Sequence, residues 1–245
     1  MTSLWERLEQ SATTTRPALS AQRIAATAVG IADADGLDAI TMRRLAAELG
    51  AAPMAAYRHV SGKDDVLELM VDLVYGEVDI PADATWRETM RALATGIRAL
   101  VLRHPWLTRL SASQAEYELT PNRMALAERA LAALRRPGLD ADTTMNVFRT
   151  VAAYVHGATS AEIGLRQLMH ERNWSSGDET RTGLSAQMTW LLGTGRYPAY
   201  ERYIREGARK DDLQWQFETG LEQILDGIAA RLDPRPTADR VKELP

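Results

Sequence analysis

The chain has 245 residues, enough for one small and one larger domain with an ample core. It contains no cysteine, which excludes a disulfide framework, a cysteine-based zinc site and a thiol nucleophile. Its apolar runs are too short to span a bilayer and its first residues lack a signal-peptide pattern, so we expect a cytoplasmic protein.

The segment before Leu19 contains Thr13-Thr14-Thr15-Arg16-Pro17 and is predicted to be a flexible N-terminal arm, residues 1–18. Helical periodicity follows it, and residues 19–79 are predicted to form a first helical domain. The most informative part of that domain is the stretch from Thr41 to Lys63. It combines a capped helix, a glycine that ends this helix, and a second short helix.

The first helix of this stretch is predicted to begin after Thr41, whose side chain is suited to capping a helix N-terminus. Met42, Leu45 and Leu49 then recur at helical spacing and predict one apolar stripe. Arg43 lies outside this stripe, so its side chain is expected to be available for other contacts.

A glycine turn is predicted to lead into the second helix. Gly50 supplies the left-handed residue that closes the first helix, and Pro53 stands in a first turn, where its missing N–H costs nothing. The second helix has room for about two turns before Ser61, which is predicted to cap a further helix from Lys63 to about Tyr75. Two short helices joined in this way form a helix-turn-helix, whose second helix enters the DNA major groove.

Cationic side chains lie in or beside this motif, although the formal net charge of the chain is −4. They are Arg16, Arg23, Arg43, Arg44, Arg58 and Lys63. A local cationic footprint matters more for DNA binding than the charge of the whole chain. Because an acidic body weakens loose binding, we expect a modest, salt-sensitive affinity for DNA.

The rest of the chain is also helical in its periodicity, without an alternating strand pattern of useful length. Ile80-Pro81-Ala82-Asp83-Ala84 interrupts the pattern, and we predict a domain boundary at residue 80. Residues 80–232 are predicted to form a larger helical domain, suited to a ligand cavity and a dimer face, and residues 233–245 a loose tail. The predicted fold class is therefore all-α.

Enzyme chemistry finds little support in this chain. The four histidines, His59, His104, His156 and His170, show no close metal-ligand pairing, and no His-Glu-x-x-His, Walker or Gly-x-Gly-x-x-Gly motif occurs. We therefore predict a protein that is not an enzyme and requires no metal or cofactor. The alternative is an enzyme whose site assembles from distant positions.

The ordered elements from Leu19 to Leu69 resemble the N-terminal domain of the tetracycline-repressor (TetR) family of bacterial one-component regulators. The matching elements are Leu19-Ser20, Ile24-Ala25, Gly36-Leu37-Asp38-Ala39-Ile40, Thr41-Met42-Arg43-Arg44-Leu45-Ala46, Leu49-Gly50, Tyr57-Arg58-His59-Val60, Lys63 and Val66-Leu67. After Ile80, the elements similar to a tetracycline-repressor type of C-terminal domain are Trp86, Arg103-His104-Pro105-Trp106, His156-Gly157 and Glu162.

The resemblance implies a ligand-responsive transcriptional regulator, with a repressor favoured over an activator. Such a protein binds a near-palindromic operator as a homodimer and releases it when a small-molecule effector occupies the second domain. The alternative is a constitutive or architectural helix-turn-helix protein whose second domain only dimerises or docks another protein. A ligand that changes operator affinity would separate the two hypotheses.

Eight residues of the motif are predicted to contact DNA: Thr41, Arg43, Pro53, Met54, Ala55, Tyr57, His59 and Lys63. Arg43 is expected to read a base, because a guanidinium makes a bidentate contact with guanine. The predicted second helix offers proline, methionine and alanine side chains that cannot donate hydrogen bonds, so contact with thymine methyl groups and shape readout are expected there. The resemblance places the threonine, tyrosine, histidine and lysine at positions that hold phosphates. For Tyr57 and His59 the alternative is partial core packing.

Eleven residues are candidates for contacting the effector: Leu93, Ile97, Leu100, His104, Trp106, Tyr117, Arg149, His156, Trp174, Met188 and Trp190. Polar or flexible groups in an apolar bundle orient small molecules, whereas an apolar stripe at helical spacing also fits plain core packing. For His104 the alternative is a role as a helix cap or hydrogen-bond donor. Leu93 and Ile97 stand where the tetracycline repressor has a polar and an aromatic ligand contact, so tetracycline is not the expected effector.

Two apolar faces are candidates for the dimer interface. They comprise Val147, Val151, Tyr154, Val155, Ala158 and Ala161 in a long helix, and Leu221, Ile224, Leu225, Ile228 and Leu232 near the C-terminus. The alternative is that both faces close the core of a single chain. The expected partners are double-stranded operator DNA, a second copy of the chain and a small-molecule effector, without a membrane.

Overall fold

Helices account for all regular secondary structure in the computed structural model, which describes residues 3–11, 19–110, 119–135, 139–175 and 177–232. This confirms the all-α fold class. The α-helices are α1 (Leu4–Ser11), α2 (Ala21–Asp35), α3 (Met42–Glu48), α4 (Pro53–Ala56), α5 (Lys63–Tyr75), α6 (Trp86–Arg103), α7 (Pro121–Ala133), α8 (Ala141–Glu171), α9 (Gly177–Gly193), α10 (Pro198–Glu206) and α11 (Leu213–Leu232). Two short 3₁₀-helices are η1 (Leu37–Ala39) and η2 (Pro105–Arg109).

The chain folds as two compact units, residues 1–155 and 156–245. The division lies within α8 and differs from the boundary that the sequence predicts at residue 80. The physical reason is that α6 and α7 pack against α5, while η2 packs against α2, so these elements join the helix-turn-helix in the first unit. A break in helical periodicity marks where a helix ends, and tertiary packing decides which helices belong together.

The core of the first unit is built on α2 and α5, which pack against each other. Ile24 and Ala28 of α2 are fully buried at a spacing of four residues, as are Val66 and Met70 of α5. This spacing places each pair on one helical face. The start of α2 is stabilised by Ser20, whose hydroxyl accepts a hydrogen bond from the Arg23 amide over 3.2 Å.

Helices α6 and α7 also pack against α5. The start of α6 is a capping box, in which the Glu88 amide donates to Thr85 Oγ1 and the Thr85 amide donates to Glu88 Oε2. The hydrogen bonds from Thr85 hold the pKa of Glu88 below its usual value. At the start of α7, the Asn122 amide donates to Asp72 Oδ1 of α5 over 2.7 Å. The carboxylate of Asp72 therefore caps α7 and joins it to α5.

The N-terminal segment differs from its prediction. Residues Leu4–Ser11 form helix α1, where the sequence analysis expected part of a flexible arm, and residues 12–18 lie outside the described structure. Leu4 is only 3% exposed, so α1 is packed against the first unit. Ser3 and Glu6 form a second capping box, with the Glu6 amide donating to Ser3 Oγ and the Ser3 amide donating to Glu6 Oε2. The prediction is wrong for these residues because it overlooked this local signal.

The second unit contains the end of α8 together with α9, α10 and α11. Phe217, Leu221 and Leu225 of α11 are buried at helical spacing, whereas no residue of α10 is buried. In both units, none of the described helices is long and apolar enough to cross a membrane.

Candidate nucleic-acid interface

The first helix of the motif forms where the sequence predicts it. Thr41 has extended backbone angles and its Oγ1 accepts a hydrogen bond from the Arg44 amide over 3.2 Å, which confirms that Thr41 caps α3. Leu45 and Leu49 are buried and hold α3 against the rest of the unit, while Met42 is half-buried. Burial of this stripe determines the orientation of the whole motif.

The turn and the second helix also follow from local sequence. Gly50 has a φ of 64°, the left-handed conformation that glycine adopts without strain. Pro53 occupies the start of α4, which comprises only four residues before a turn at 57–59 and is shorter than the predicted two turns. Ala56 and Val60 are buried, and they fasten α4 and its following turn to the core. The opposite side of α4 therefore faces the solvent.

Two adjacent arginines of α3 have different environments. Arg44 Nη2 lies 2.5 Å from Asp35 Oδ2, and Arg44 Nε lies 4.0 Å from Glu48 Oε1. Arg43 is exposed and forms no ion pair or hydrogen bond within the part of the chain that the structure describes. An arginine that pairs with carboxylates is less available to DNA, so Arg43 is the better candidate for contacting a base.

The predicted DNA contacts on α4 and its turn lie at the surface. Met54 is 73% exposed and Tyr57 45% exposed, while Ala55 and His59 are half-buried. Partial core packing therefore applies to His59 more than to Tyr57. The side chain of Pro53 is not among those described. The exposed Met54 side chain is available for apolar contact with a ligand such as DNA.

The start of α5 is organised by Asp65. Gly62 occupies the N-cap position, so the predicted side-chain cap by Ser61 does not form. The amide and hydroxyl of Ser61 instead donate to Asp65 Oδ2 over 2.8 and 2.7 Å. Lys63 is exposed, and its Nζ donates to the Leu37 carbonyl over 3.2 Å. The ammonium of Lys63 is therefore held beside the motif, where it remains open to a phosphate.

The apolar ligand candidates of α6 lie largely in the core. Leu93 and Leu100 are each 2% exposed, while Ile97 is half-buried. Burial at this spacing fits the core-packing alternative for the two leucines. A groove of about 750 Å³ runs between the end of α7 and the start of α8, lined by residues that include Leu131, Arg135 and Met145. None of the predicted ligand residues lines this groove.

His104 and Trp106 are engaged by a residue that the sequence analysis did not single out. Trp106 Nε1 donates to Asp33 Oδ1 over 2.8 Å, and His104 Nδ1 lies 2.8 Å from the same oxygen. His104 Nε2 lies 3.4 Å from Glu77 Oε1, and Arg103 forms an ion pair with Glu77. Both aromatic side chains are buried, so this geometry argues against their predicted role as ligand contacts. They join the end of α6 and η2 to α2.

The remaining ligand candidates are distributed over surfaces of both units. Arg149 of the first unit is exposed, and in the second unit His156 is exposed and Trp190 is 67% exposed. Trp174 is half-buried, and the Arg172 guanidinium carbon lies over its ring, 6.0 Å from the ring centroid. Met188 is half-buried. Tyr117 lies outside the described residues.

No group of three or more metal-ligating side chains occurs among the residues that the structure describes. Three residues with polar contacts distant in sequence were not singled out from the sequence: Asp33, Arg7 and Asp65. Asp33 contacts His104 and Trp106, and Asp65 contacts Arg7 across 58 residues, so no local signal indicates these contacts. The contact of Asp65 with Ser61, four residues before it, is local. For Arg7 a signal was available, because Ser3 and Glu6 have the spacing of a capping box at the start of α1.

The chain is similar to known transcriptional regulators over most of its length. Residues 80–232 match the family model for a tetracyclin repressor-like C-terminal domain. The chain is 33% identical to the HTH-type transcriptional repressor DrrR1 of Streptomyces coeruleorubidus, with 92% of this chain and 83% of that protein covered. It is 32% identical to an HTH-type transcriptional regulator of Saccharopolyspora erythraea, with 93% and 92% covered.

A similar solved structure is that of the Streptomyces coelicolor TetR family protein ActR in complex with actinorhodin. The TM-score is 0.69 and the identity 29%, with 90% of this chain and 99% of that chain covered. The similarity therefore includes both the motif and the helices that follow it.

Proposed function

The chain belongs to the tetracycline-repressor (TetR) family of ligand-responsive transcriptional repressors, and we propose that it binds its operator through α3, α4 and the start of α5. Its partners are double-stranded operator DNA, a second copy of the chain and a small-molecule effector. Members and relatives are transcriptional regulators and not enzymes. We place its action in the cytoplasm, where bacterial operator DNA is found.

The observation that carries the proposal is the contrast between the buried and exposed sides of the motif. Ala56 and Val60 hold α4 from beneath, while Met54 and Tyr57 project into solvent beside the unpaired Arg43. These groups match what a major groove offers, which is thymine methyl groups and guanine acceptors.

Each proposed contact has a defined chemical role. Arg43 reads a guanine through a bidentate hydrogen bond, and the α4 side chains make apolar contact with thymine methyl groups, supported by shape readout. The remaining proposed contacts hold backbone phosphates: Thr41, Tyr57, His59 and Lys63. Because phosphate contacts set the register and base contacts set the preference, the two groups differ in their effects on sequence selectivity.

We propose residues 19–79 as the DNA-binding domain and 80–232 as the effector-binding and dimerisation domain. Helix α5 connects their activities, because it begins at the motif and its Asp72 accepts hydrogen bonds from Asn122 of α7. An effector that displaces α7 thereby tilts α5. This tilt changes the spacing between the two copies of α4 in the dimer. Only a difference in effector affinity between the two states drives this change, at roughly 1.4 kcal/mol per tenfold change in operator binding.

The candidates for effector contact differ in burial. Within the first unit, the half-buried Ile97 of α6 stays a candidate for apolar contact with an effector. Within the second unit, taken by itself, the half-buried Trp174 and Met188 of α9 stay candidates. His104 and Trp106 are withdrawn from this set because Asp33 engages them. For the candidates that lie at the surface, we propose contact with the effector only in the assembled dimer.

The proposal is tested by operator selection followed by effector release. The full chain is used to enrich binding sequences from a random double-stranded pool, and fluorescence anisotropy then gives the affinity for the selected site. Actinorhodin is the first small molecule to add, since ActR binds it. A thermal-shift screen extends the search, because a ligand at a hundred times its Kd adds about 2.7 kcal/mol of stability.

Enrichment of a near-palindromic site together with its release by a small molecule supports the ligand-responsive repressor. If enrichment succeeds but no ligand in the screen changes operator affinity, a constitutive DNA-binding protein is supported instead. If no sequence is enriched over random DNA, the proposed DNA interface is wrong.

A further inference from the structure

Helix α1 packs into the first unit. A helix of eight residues is unstable alone, so its order depends on packing. Leu4 is buried, and Trp5 and Leu8 face Ala25 of α2 and Leu69 of α5 across a cavity of about 240 Å³. The helix therefore lies across the two helices on which the DNA-binding motif is mounted.

A single carboxylate oxygen joins α1 to the start of α5. Arg7 Nη2 lies 2.6 Å from Asp65 Oδ2, which also accepts hydrogen bonds from the Ser61 amide and hydroxyl. The Asp65 side chain is 15% exposed, so solvent screens this contact only in part. Ser61 precedes Lys63 by two residues, and the position of this turn determines where the lysine ammonium lies.

The charge of Asp65 also bears on DNA binding. Its carboxylate lies two residues along α5 from the proposed phosphate contact Lys63, and an unpaired negative charge close to the DNA backbone would repel it. The Arg7 guanidinium compensates this charge locally. Burial raises the pKa of the neighbouring Glu68, and the positive charge of Arg7 acts in the opposite direction. Arg7 therefore lies close to the carboxyl groups of both Asp65 and Glu68.

We infer that Arg7 of α1 is a positioning residue for operator binding. It holds Asp65, and through Asp65 the Ser61–Lys63 turn, in the arrangement that presents Lys63 to a DNA phosphate. It does so without touching DNA itself. The inference rests on the proposed DNA interface and deepens it, because it assigns a role in DNA binding to a helix outside the motif.

The test uses Arg7→Gln in the full chain, which removes the charge and keeps a side chain that reaches Asp65. We expect operator affinity to fall about twofold to fivefold, the range for losing one partly exposed ion pair. The slope of log affinity against log salt should stay unchanged, because no phosphate contact is lost. Arg196→Gln in the second unit removes the same charge as a matched control and should leave operator affinity unchanged.

A double-mutant cycle separates positioning from a general loss of stability. In an Asp65→Asn background the carboxylate charge is absent, so Arg7→Gln should have little further effect on affinity. Arg7→Lys restores a positive charge and should recover part of the affinity. Hydrogen exchange at the Ser61–Lys63 amides should be faster in Arg7→Gln than in the unaltered chain, because the Asp65 contact is loosened.

Three outcomes would overturn the inference. A salt slope smaller by about one unit would make Arg7 a phosphate contact of an N-terminal DNA arm. Unchanged affinity with a lower melting temperature would make α1 a purely structural helix. Equal losses of affinity from Arg7→Gln with and without Asp65→Asn would show that the two residues act separately. Failure of the proposed function is distinguishable from all three, because the unaltered chain would then select no operator.

Discussion

The exposed face of the helix-turn-helix and the end of α6 use similar side chains in opposite ways. In the motif, Arg43 and Met54 project from a buried framework without partners among the described residues. At the end of α6, His104 and Trp106 are buried and share one oxygen of Asp33. Both regions contain polar or aromatic side chains that a search for binding residues singles out.

Residue type alone therefore does not distinguish a side chain that binds a ligand from one that joins two helices. A side chain serves an external ligand when its polar atoms are left available, and it joins helices when those atoms are already bonded. The end of α6 belongs to the second kind. Its hydrogen bonds connect the proposed effector-binding domain to α2 of the DNA-binding domain.

The largest effect is expected from removing the carboxylate of Asp33, which joins α2 to the end of α6. Asp33→Ala removes the acceptor of two buried donors, and we expect the free energy of unfolding to fall by about 3 kcal/mol. Urea denaturation measures this loss. Asp38→Ala is the matched control, because Asp38 pairs with Arg109 at an exposed site and should change stability by less than about 1 kcal/mol. Equal losses from the two substitutions would show that the Asp33 contacts contribute no more than a surface ion pair.

The second largest effect is expected at the exposed face of the motif. Arg43→Ala should weaken operator binding by roughly 1–3 kcal/mol and flatten the preference at one base pair per half-site. Arg44→Ala is the matched control and should weaken binding less, because Arg44 is paired with Asp35. Competition binding against operators substituted at each position gives both quantities. If Arg43→Ala lowers the affinity for all sequences alike, Arg43 is a phosphate contact and base readout comes from α4.

A smaller effect tests whether Trp106 serves the fold or an effector. Trp106→Phe removes the indole N–H and keeps an aromatic ring, so we expect a stability loss of about 1 kcal/mol. Trp190→Phe, at an exposed position, should change stability by less than about 0.5 kcal/mol. Thermal unfolding with and without an effector found by screening checks both roles. Unchanged stability combined with weaker effector binding would return Trp106 to the ligand site.

The smallest expected effect concerns Lys63. Lys63→Ala should weaken binding to every DNA sequence alike by a few-fold and reduce the salt slope by about one unit. Lys210→Ala serves as the control, because its ammonium also donates to a main-chain carbonyl, that of Ile204, in the second unit. Anisotropy titrations over a range of salt concentrations provide the slope. An unchanged slope with reduced stability would limit Lys63 to its bond with Leu37.

Much of the motif was predictable because its signals are local. Thr41 caps α3, Gly50 adopts a left-handed conformation and Pro53 stands at the start of α4, each as the sequence indicated. Helix α1 was equally local and was missed, since the prediction of an arm rested on residues 13–17 and overlooked the Ser3 and Glu6 capping box. The effector candidates were the least predictable, because their availability depends on partners elsewhere in the chain.

The amino-acid sequence by itself determined the all-helical fold class, the helix-turn-helix and the family, because capping, helical periodicity and glycine conformation act within a few residues. Only the tertiary structure decided which polar groups are left available. Asp33 meets His104 across 71 residues and Arg7 meets Asp65 across 58, and such pairings depend on how the helices pack. For the same reason packing alone separated Arg43 from Arg44, two adjacent residues of one type with different partners.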